Sequence, residues 1–212
     1  TKDATATAMP AVRPAKSTKE RRYLVHLLVA HHEHCQYQGA SCDGHCSFFS
    51  QVFSKGIHFW NIRLSLFDCV AIGHFLSAHF CFDSSAFDIA NSGCGTAGLR
   101  SIAAGLSHCK SVRRLDLRTN ACDDGSVLSS IIPSLSGNVE RFYVDGNPVG
   151  SDGVVSVCKA LSSYSKLSHV DVSYPLTRHG GGVVVPLSWV SVVVESCPNL
   201  CVLYAKGYGI QL

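Results

Sequence analysis

A short pattern that recurs at nearly regular intervals limits the folds open to this 212-residue chain more than any other feature of its sequence. Residues 114–120, 141–147 and 169–175 each alternate apolar and other residues. Related segments lie upstream at 86–89 and downstream at 202–205, so successive units begin at positions 86, 114, 141, 169 and 202. The units that begin at 114 and 141 are 27 and 28 residues long. A single unit of this length cannot bury its apolar face alone, so the repeat predicts a stack of similar units.

Each unit predicts one short strand, a turn and one helix. Leu115 and Leu117 alternate with Asp116, which places the leucines on the buried face of a strand and the carboxylate on the exposed face. Asn120 and Asn147 suit the turn after the strand, where a side-chain amide can satisfy backbone groups of a neighbouring repeat. The predicted strand core consists of Leu115, Leu117, Phe142, Val144, Val170 and Val172. Glycines that would permit a sharp entry to the helix follow at Gly98, Gly125 and Gly153.

The pattern resembles the leucine-rich repeat family, specifically its ribonuclease-inhibitor-like subclass. The family motif Leu-x-Leu-x-x-Asn stands at residues 115–120, and residues 147–153 are similar to its Asn-x-Leu-Gly-x-x-Gly step. The resemblance implies an α/β solenoid with short parallel strands on the concave face, α-helices on the convex face and a helical N-terminal cap. It also implies binding to proteins, because members of this subclass act as inhibitors, regulators of small GTPases, ciliary components and assembly subunits.

Three regions are expected along the chain. Residues 1–22 form a basic, flexible arm, residues 23–56 a helical cap, and residues 57–212 a solenoid of about five to six repeats whose first and last repeats are degenerate. Residues 56–61, which precede Phe87 at the spacing of the other units, are interpreted as the first repeat. Residues 17–20 predict a capping box that opens an amphipathic helix to about residue 34. A second short helix is expected at 48–53, and a loop that leaves the solenoid at 179–182.

The arm carries most of the net charge. Residues 1–22 hold six basic and two acidic residues, a net charge of +4, whereas the whole chain carries +3, so the other residues carry −1. The arm is either a solvated tail or a segment that contacts RNA phosphate. In the second interpretation the RNA-binding residues would be Lys16, Lys19, Arg21 and Arg22. Apolar runs at 23–30 and 183–194 are too short or too interrupted to span a bilayer, so no membrane contact is expected.

The eleven cysteines do not predict a secreted disulfide framework, because their number is odd and they scatter through a large chain. We therefore expect a reducing intracellular compartment: the cytoplasm, a cilium or an organelle such as the mitochondrion. One cluster has the residue types of a structural zinc site, and its candidate ligands are His31, Cys35, Cys42 and Cys46. Their spacing matches no strong zinc signature, so the sequence favours a cysteine-rich cap with solvated histidines.

The sequence offers no motif for catalysis. A nucleophile elbow, a phosphate-binding loop and a zinc-protease motif are all absent from it. Residues 93–98 are rich in glycine, but the same positions of the next repeats explain them without a dinucleotide. We therefore expect no catalytic residue, no cofactor and no small-molecule substrate.

The remaining candidate site is the concave sheet face, where aromatic residues lie among charges of both signs. Protein-binding surfaces use this mixture, although solvent-facing strand positions hold polar residues in any case. The sequence favours a non-catalytic interaction scaffold, a leucine-rich repeat subunit of a larger intracellular assembly. The alternative is a ribonucleoprotein subunit, for example of an organellar ribosome. The candidate protein-binding residues, with Tyr143 and Tyr204 as expected anchors, are Trp60, Asp88, Arg114, Asp116, Arg118, Arg141, Tyr143, Asp145, His169, Asp171 and Tyr204.

Overall fold

Short strands alternate with helices along the chain. The computed structural model describes residues 17–38, 53, 56–78, 85–135, 137–173, 183–186 and 188–211. The helices are α1 (Thr18–Gln38), α2 (Leu66–Ala78), α3 (Gly95–Leu106), α4 (Gly125–Ser134), α5 (Gly150–Leu161) and α6 (Ser188–Ser196). The strands are β1 (Ile57–His58), β2 (Ala86–Asp88), β3 (Arg114–Asp116), β4 (Arg141–Tyr143), β5 (His169–Asp171), β6 (Val183–Pro186), β7 (Val202–Tyr204) and β8 (Tyr208–Gln211). The predicted loop at 179–182, and the predicted helix at 48–53 except Phe53, lie outside the described residues.

Six of the strands form one parallel sheet in the order β1-β2-β3-β4-β5-β7. The register pairs Phe87 with Leu115, Leu115 with Phe142, and Phe142 with Val170, so one line of apolar side chains crosses the sheet. The strands β6 and β8 form a separate two-stranded parallel sheet. The predicted α/β solenoid of short parallel strands and outer helices is therefore confirmed.

The buried core lies between the six-stranded sheet and the helices. All six residues of the predicted strand core are buried, with exposed fractions between 0% and 6%. The helices add Leu99, Ile102 and Ile131 to the same continuous cluster. The alternation of apolar residues in the repeats therefore predicted the strand register correctly.

Helix α1 covers the first-repeat end of the solenoid. The Ser17 hydroxyl accepts a hydrogen bond from the Glu20 backbone N–H at 3.1 Å, and the Ser17 N–H donates to the Glu20 carboxylate at 2.9 Å. This reciprocal pair confirms the predicted capping box. The helix packs on α2 and buries Val25 and Leu28. Because α1 begins at Thr18, the expected end of the basic arm at residue 22 falls inside this helix.

Two buried asparagines join successive repeats through the turns that follow their strands. The Asn147 Oδ1 accepts hydrogen bonds from the N–H groups of Asn120 and Cys122 at 3.0 and 3.1 Å, and its Nδ2 donates to the carbonyls of Leu117 and Val144. The Asn120 side chain repeats this arrangement one unit earlier. The predicted role of both side chains is confirmed.

The glycines near the helix starts have another role than the predicted one. Positive φ angles of 62°, 64° and 68° occur at Gly93, Gly95 and Gly150. Gly125 and Gly153 instead lie where adjacent helices approach each other, and a Cβ at Gly125 would collide with the Gly153 backbone. Close helix packing therefore explains the recurrent glycine better than the sharp turn does.

Candidate functional site

The concave face, the side of the six-stranded sheet opposite the helices, carries rows of side chains that cross the strands. Strand alternation points these side chains away from the core. The first row comprises Ala86, Arg114, Arg141, His169 and Val202. The middle row comprises His58, Asp88, Asp116, Tyr143, Asp171 and Tyr204.

A third row comprises Trp60, Ala90, Arg118 and Asp145. The backbone N–H groups of Asn61, Asn91 and Thr119 donate to the carbonyls of Ala90, Arg118 and Asp145, which continues the parallel register beyond the strands. If residues 56–61 followed the spacing of the other units, as interpreted from the sequence, Trp60 would lie in the middle row beside Asp88. Instead β1 pairs Ile57 with Phe87, so the first repeat is two residues longer than predicted. An offset of two residues keeps Trp60 on the same face and puts His58 in its expected place.

The middle-row aspartates of β2 and β3 are buried, which corrects the expectation that Asp116 is exposed. Asp116 is 0% exposed and Asp88 is 7% exposed. Arg118 donates to Asp116 through Nε and Nη2, both at 2.8 Å, and Arg114 donates to it at 3.1 Å. These bonds to Asp116 raise the pKa of Arg118 above its usual value. The two long arginine side chains cover the carboxylate, and their hydrogen bonds offset the cost of burying its charge.

Tyr143 lies between the same two arginines. The guanidinium carbons of Arg114 and Arg118 lie 5.5 and 5.4 Å from its ring centroid, within the range of cation–π contact. The Tyr143 side chain is half-buried. Tyr143 is therefore a half-buried aromatic ring in contact with two arginines that are both bound to Asp116.

Exposed groups surround this tyrosine. Arg141 is exposed, and its guanidinium makes no ion pair or hydrogen bond within the part of the chain that the structure describes. Tyr204 is 47% exposed at the β7 end of the middle row, with the Lys206 ammonium 5.9 Å from its ring centroid. His169 and Asp171 lie between them on β5. The structure thus places the expected anchors, Tyr143 and Tyr204, in one row, with β5 between their strands.

A cavity of about 520 Å³ opens on the third row. Its lining includes Trp60, Asp88, Ala90, Arg118 and Asp145, and we call it the Trp60 pocket. It exists because the small Ala90 lies between two long side chains in adjacent strands, about 4.8 Å apart. The Trp60 ring is 38% exposed and carries the Arg21 guanidinium at 3.9 Å. Neither His58 nor Ala90 was identified from the sequence, since a histidine and an alanine carry no distinctive signal in this pattern.

Asp145 has an unusual environment at the rim of this pocket. Its Oδ1 atom is buried without a hydrogen-bond donor, and its nearest cation is the Arg118 Nε at 3.7 Å. Burial and the neighbouring Asp171 raise the pKa of Asp145 to about 6, although Arg118 partly opposes the shift. The positive charges and hydrogen-bond donors around this carboxylate are therefore fewer than those around Asp116, which accepts three hydrogen bonds from the side chains of Arg114 and Arg118.

The arm residues proposed for RNA contact are engaged elsewhere where the structure describes them. Arg21 is 2% exposed beneath Trp60, and Arg22 pairs with Asp68 at 3.0 Å and donates to the Arg63 carbonyl. Lys19 is exposed on the first turn of α1, and Lys16 lies outside the described residues. Two of the four candidate arm residues thus contact the body of the protein.

The candidate zinc ligands fall largely outside what the structure describes. His31 and Cys35 lie on α1, but their side chains, like Cys42 and Cys46, are not among the described groups. In the described part of the chain, no three His, Cys, Asp or Glu side chains are arranged to hold a metal ion. The zinc site stays a prediction.

The helices of the described residues include none with the length and apolar character needed to cross a membrane. The seven cysteines whose side chains the structure describes are free thiols, and all except Cys201 are buried.

No family model and no curated protein sequence matches this chain. Among solved structures, the tropomodulin C-terminal domain of Caenorhabditis elegans is similar at a TM-score of 0.49 and 14% identity, over 66% of this chain and 84% of that one. The actin-binding site 2 of leiomodin-1 has a TM-score of 0.49 and 18% identity, over 70% of this chain and 82% of that one. Similarity at this level transfers no function. The chain's own strands and register establish an α/β repeat solenoid, and the ribonuclease-inhibitor-like subclass stays a prediction.

Proposed function

We propose that this chain is a non-catalytic scaffold that binds a protein partner on its concave face, as a subunit of a larger intracellular assembly. The observation that carries the proposal is the placement of Tyr143 between Arg114 and Arg118, with the exposed Arg141 beside it. Tyrosine and arginine are among the residues in which protein-binding energy is most often concentrated.

Preorganisation supports this role. Arg114 and Arg118 are held by the buried Asp116 before any partner arrives. Ordering a long side chain at an interface costs about 0.5–1.5 kcal/mol, and a side chain that is already ordered avoids that cost. Such an arrangement favours recognition of one defined protein surface.

The charge of the surface favours protein over nucleic acid. Carboxylates at Asp145 and Asp171 lie among the arginines of the concave face, and they would repel a phosphate backbone. Arg21 and Arg22 are engaged by Trp60 and Asp68. The pull-down described next therefore distinguishes binding at the concave face from binding of RNA through the basic arm.

An affinity pull-down from the native source tests the proposal. The tagged chain is compared with the double variant Tyr143→Ala/Tyr204→Ala and with Tyr23→Ala, a matched control at a 63% exposed tyrosine on α1. A third variant lacks residues 1–16, which leaves α1 and its capping box intact.

We expect the double variant to lose the partner and both other variants to retain it. Loss of the partner on deleting residues 1–16, with retention by the double variant and a steep dependence on salt, would favour RNA or another polyanion and contradict the proposal. Retention by all variants would place the contact elsewhere and would also contradict it.

A further inference from the structure

We infer that the Trp60 pocket receives a lysine or arginine side chain from the protein partner, an inference that rests on the proposed function. The pocket is lined by two carboxylates, Asp88 and Asp145, against one guanidinium, Arg118. Its volume of about 520 Å³ lies within the roughly 300–1,000 Å³ of ordinary ligand pockets.

The guanidinium of Arg118 does not neutralise both carboxylates of this pocket. Two of its N–H groups are committed to Asp116 at 2.8 Å, and Asp116 is also bound by Arg114. Arg118 stays 3.7 Å from Asp145 and donates no hydrogen bond to it. The Asp145 Oδ1 is therefore a buried acceptor for which the described residues provide no donor.

The walls suit the shape of a basic side chain as well as its charge. Lysine and arginine combine a long apolar stem with a terminal cation, and the stem gains most when it packs on apolar surface. Trp60 offers an aromatic wall, and Ala90 offers a small apolar floor next to it. A stem lying along Trp60 would bring its cation towards the Asp145 side chain, which is 23% exposed, and would form a charge-assisted hydrogen bond with its carboxylate.

An acidic side chain fits the same pocket poorly. It would meet Asp88 and Asp145 at close range and would find Arg118 already bound by Asp116. A purely apolar side chain would remove the exposed part of the Asp145 carboxylate from water without supplying a donor, which carries a desolvation cost. Charge complementarity therefore selects a basic side chain.

The test uses the full chain and short peptides, so it does not need the native partner. Three pentapeptides carry arginine, glutamate or leucine at the centre of four glycines, with both ends blocked. The chain contains two tryptophans, and their indole N–H resonances serve as probes. Trp60 reports on the pocket, whereas Trp189, which is 5% exposed, reports on the fold.

We expect the arginine peptide to shift the Trp60 resonance in a saturable manner and to leave Trp189 unchanged, with much weaker effects from the other two peptides. Asp145→Asn should weaken the arginine peptide roughly tenfold, as expected for the loss of a hydrogen bond to a charged group. Asp152→Asn, which removes an exposed carboxylate on α5, should not alter binding. Ala90→Leu should abolish the shift by filling the pocket without a change in charge.

An equal or stronger response to the glutamate peptide would overturn the inference, as would the absence of any Trp60 shift. Unchanged affinity in both Asp145→Asn and Ala90→Leu would also overturn it. These outcomes concern the pocket alone, whereas retention of the partner by the double variant Tyr143→Ala/Tyr204→Ala in the pull-down would contradict the proposed function.

Discussion

Asp116 connects two arginines of the concave face, and its loss should be costly although it lies on the side of the strand away from the core. We expect Asp116→Ala to lower the free energy of unfolding by about 1.5–3 kcal/mol, because Arg114 and Arg118 each lose a charged acceptor. Leu117→Ala, on the opposite side of the same chain segment, should cost about 2–5 kcal/mol. Urea denaturation measures both. A loss below about 0.5 kcal/mol for Asp116→Ala, typical of exposed positions, would contradict the buried arrangement.

Asp145 should make stability depend on pH. Its folded-state pKa of about 6 lies above the usual value of 3.8. Between these two pH values the carboxyl is therefore protonated in the folded state and ionised in the unfolded state. The resulting stabilisation is fully present below pH 3.8 and is lost as the pH rises through 6.

Relative to Asp145→Asn, the wild-type chain should therefore become less stable between pH 4 and pH 7. Melting temperatures of the two proteins across this range measure the effect, and Asp152→Asn serves as the control. A difference that stays constant with pH would show that the carboxyl titrates normally.

The described cysteines should differ sharply in reactivity. Burial raises the pKa of Cys109 to about 11 and that of Cys158 to about 12, so neither forms much thiolate at neutral pH. Cys201 is exposed. In a brief treatment of the native protein with iodoacetamide, mass spectrometry should find Cys201 alkylated and Cys109 and Cys158 protected. Rapid alkylation of Cys158 in the folded protein would contradict the core packing.

At the scale of elements, hydrogen bonds in the turns after the strands link each repeat to the next. Asn147→Ala removes a buried side chain that makes four hydrogen bonds to two repeats. We expect a loss of about 2–4 kcal/mol in the free energy of unfolding, since buried backbone groups would be left unsatisfied. Asn199→Ala, at an exposed asparagine with one bond to the Ser165 carbonyl, is the matched control. Equal losses in the two variants, measured by urea denaturation, would contradict the role assigned to the buried side chain.

The sequence predicted the repeating elements well because their signal is periodic. Leu115 and Leu117 recur as Phe142 and Val144, and this spacing settled the strand register and the buried face. The first repeat was misplaced by two residues, since nothing in residues 56–61 indicates that this repeat is longer than those that follow. The role of Gly125 was also misjudged, because a close approach between helices depends on tertiary packing that no local pattern contains.

At the scale of the whole molecule, the concave face was predictable as a surface but not as a set of contacts. Alternation placed Asp116 away from the core, yet only the fold brings Arg114 and Arg118 over it. In the same way, the Trp60 pocket depends on residues from successive repeats whose side chains meet across strands. The contacts that long side chains make across neighbouring repeats depend on the three-dimensional arrangement, and the sequence pattern does not predict them.

Binding at the concave face is the central claim, and site-specific photocrosslinking in the native source tests it most directly. A photoreactive phenylalanine analogue replaces Tyr143, Tyr204 or, as the control, Tyr23 on α1. We predict that positions 143 and 204 crosslink to the same protein and that position 23 does not. Crosslinking of that protein at position 23, with none at positions 143 and 204, would contradict the account.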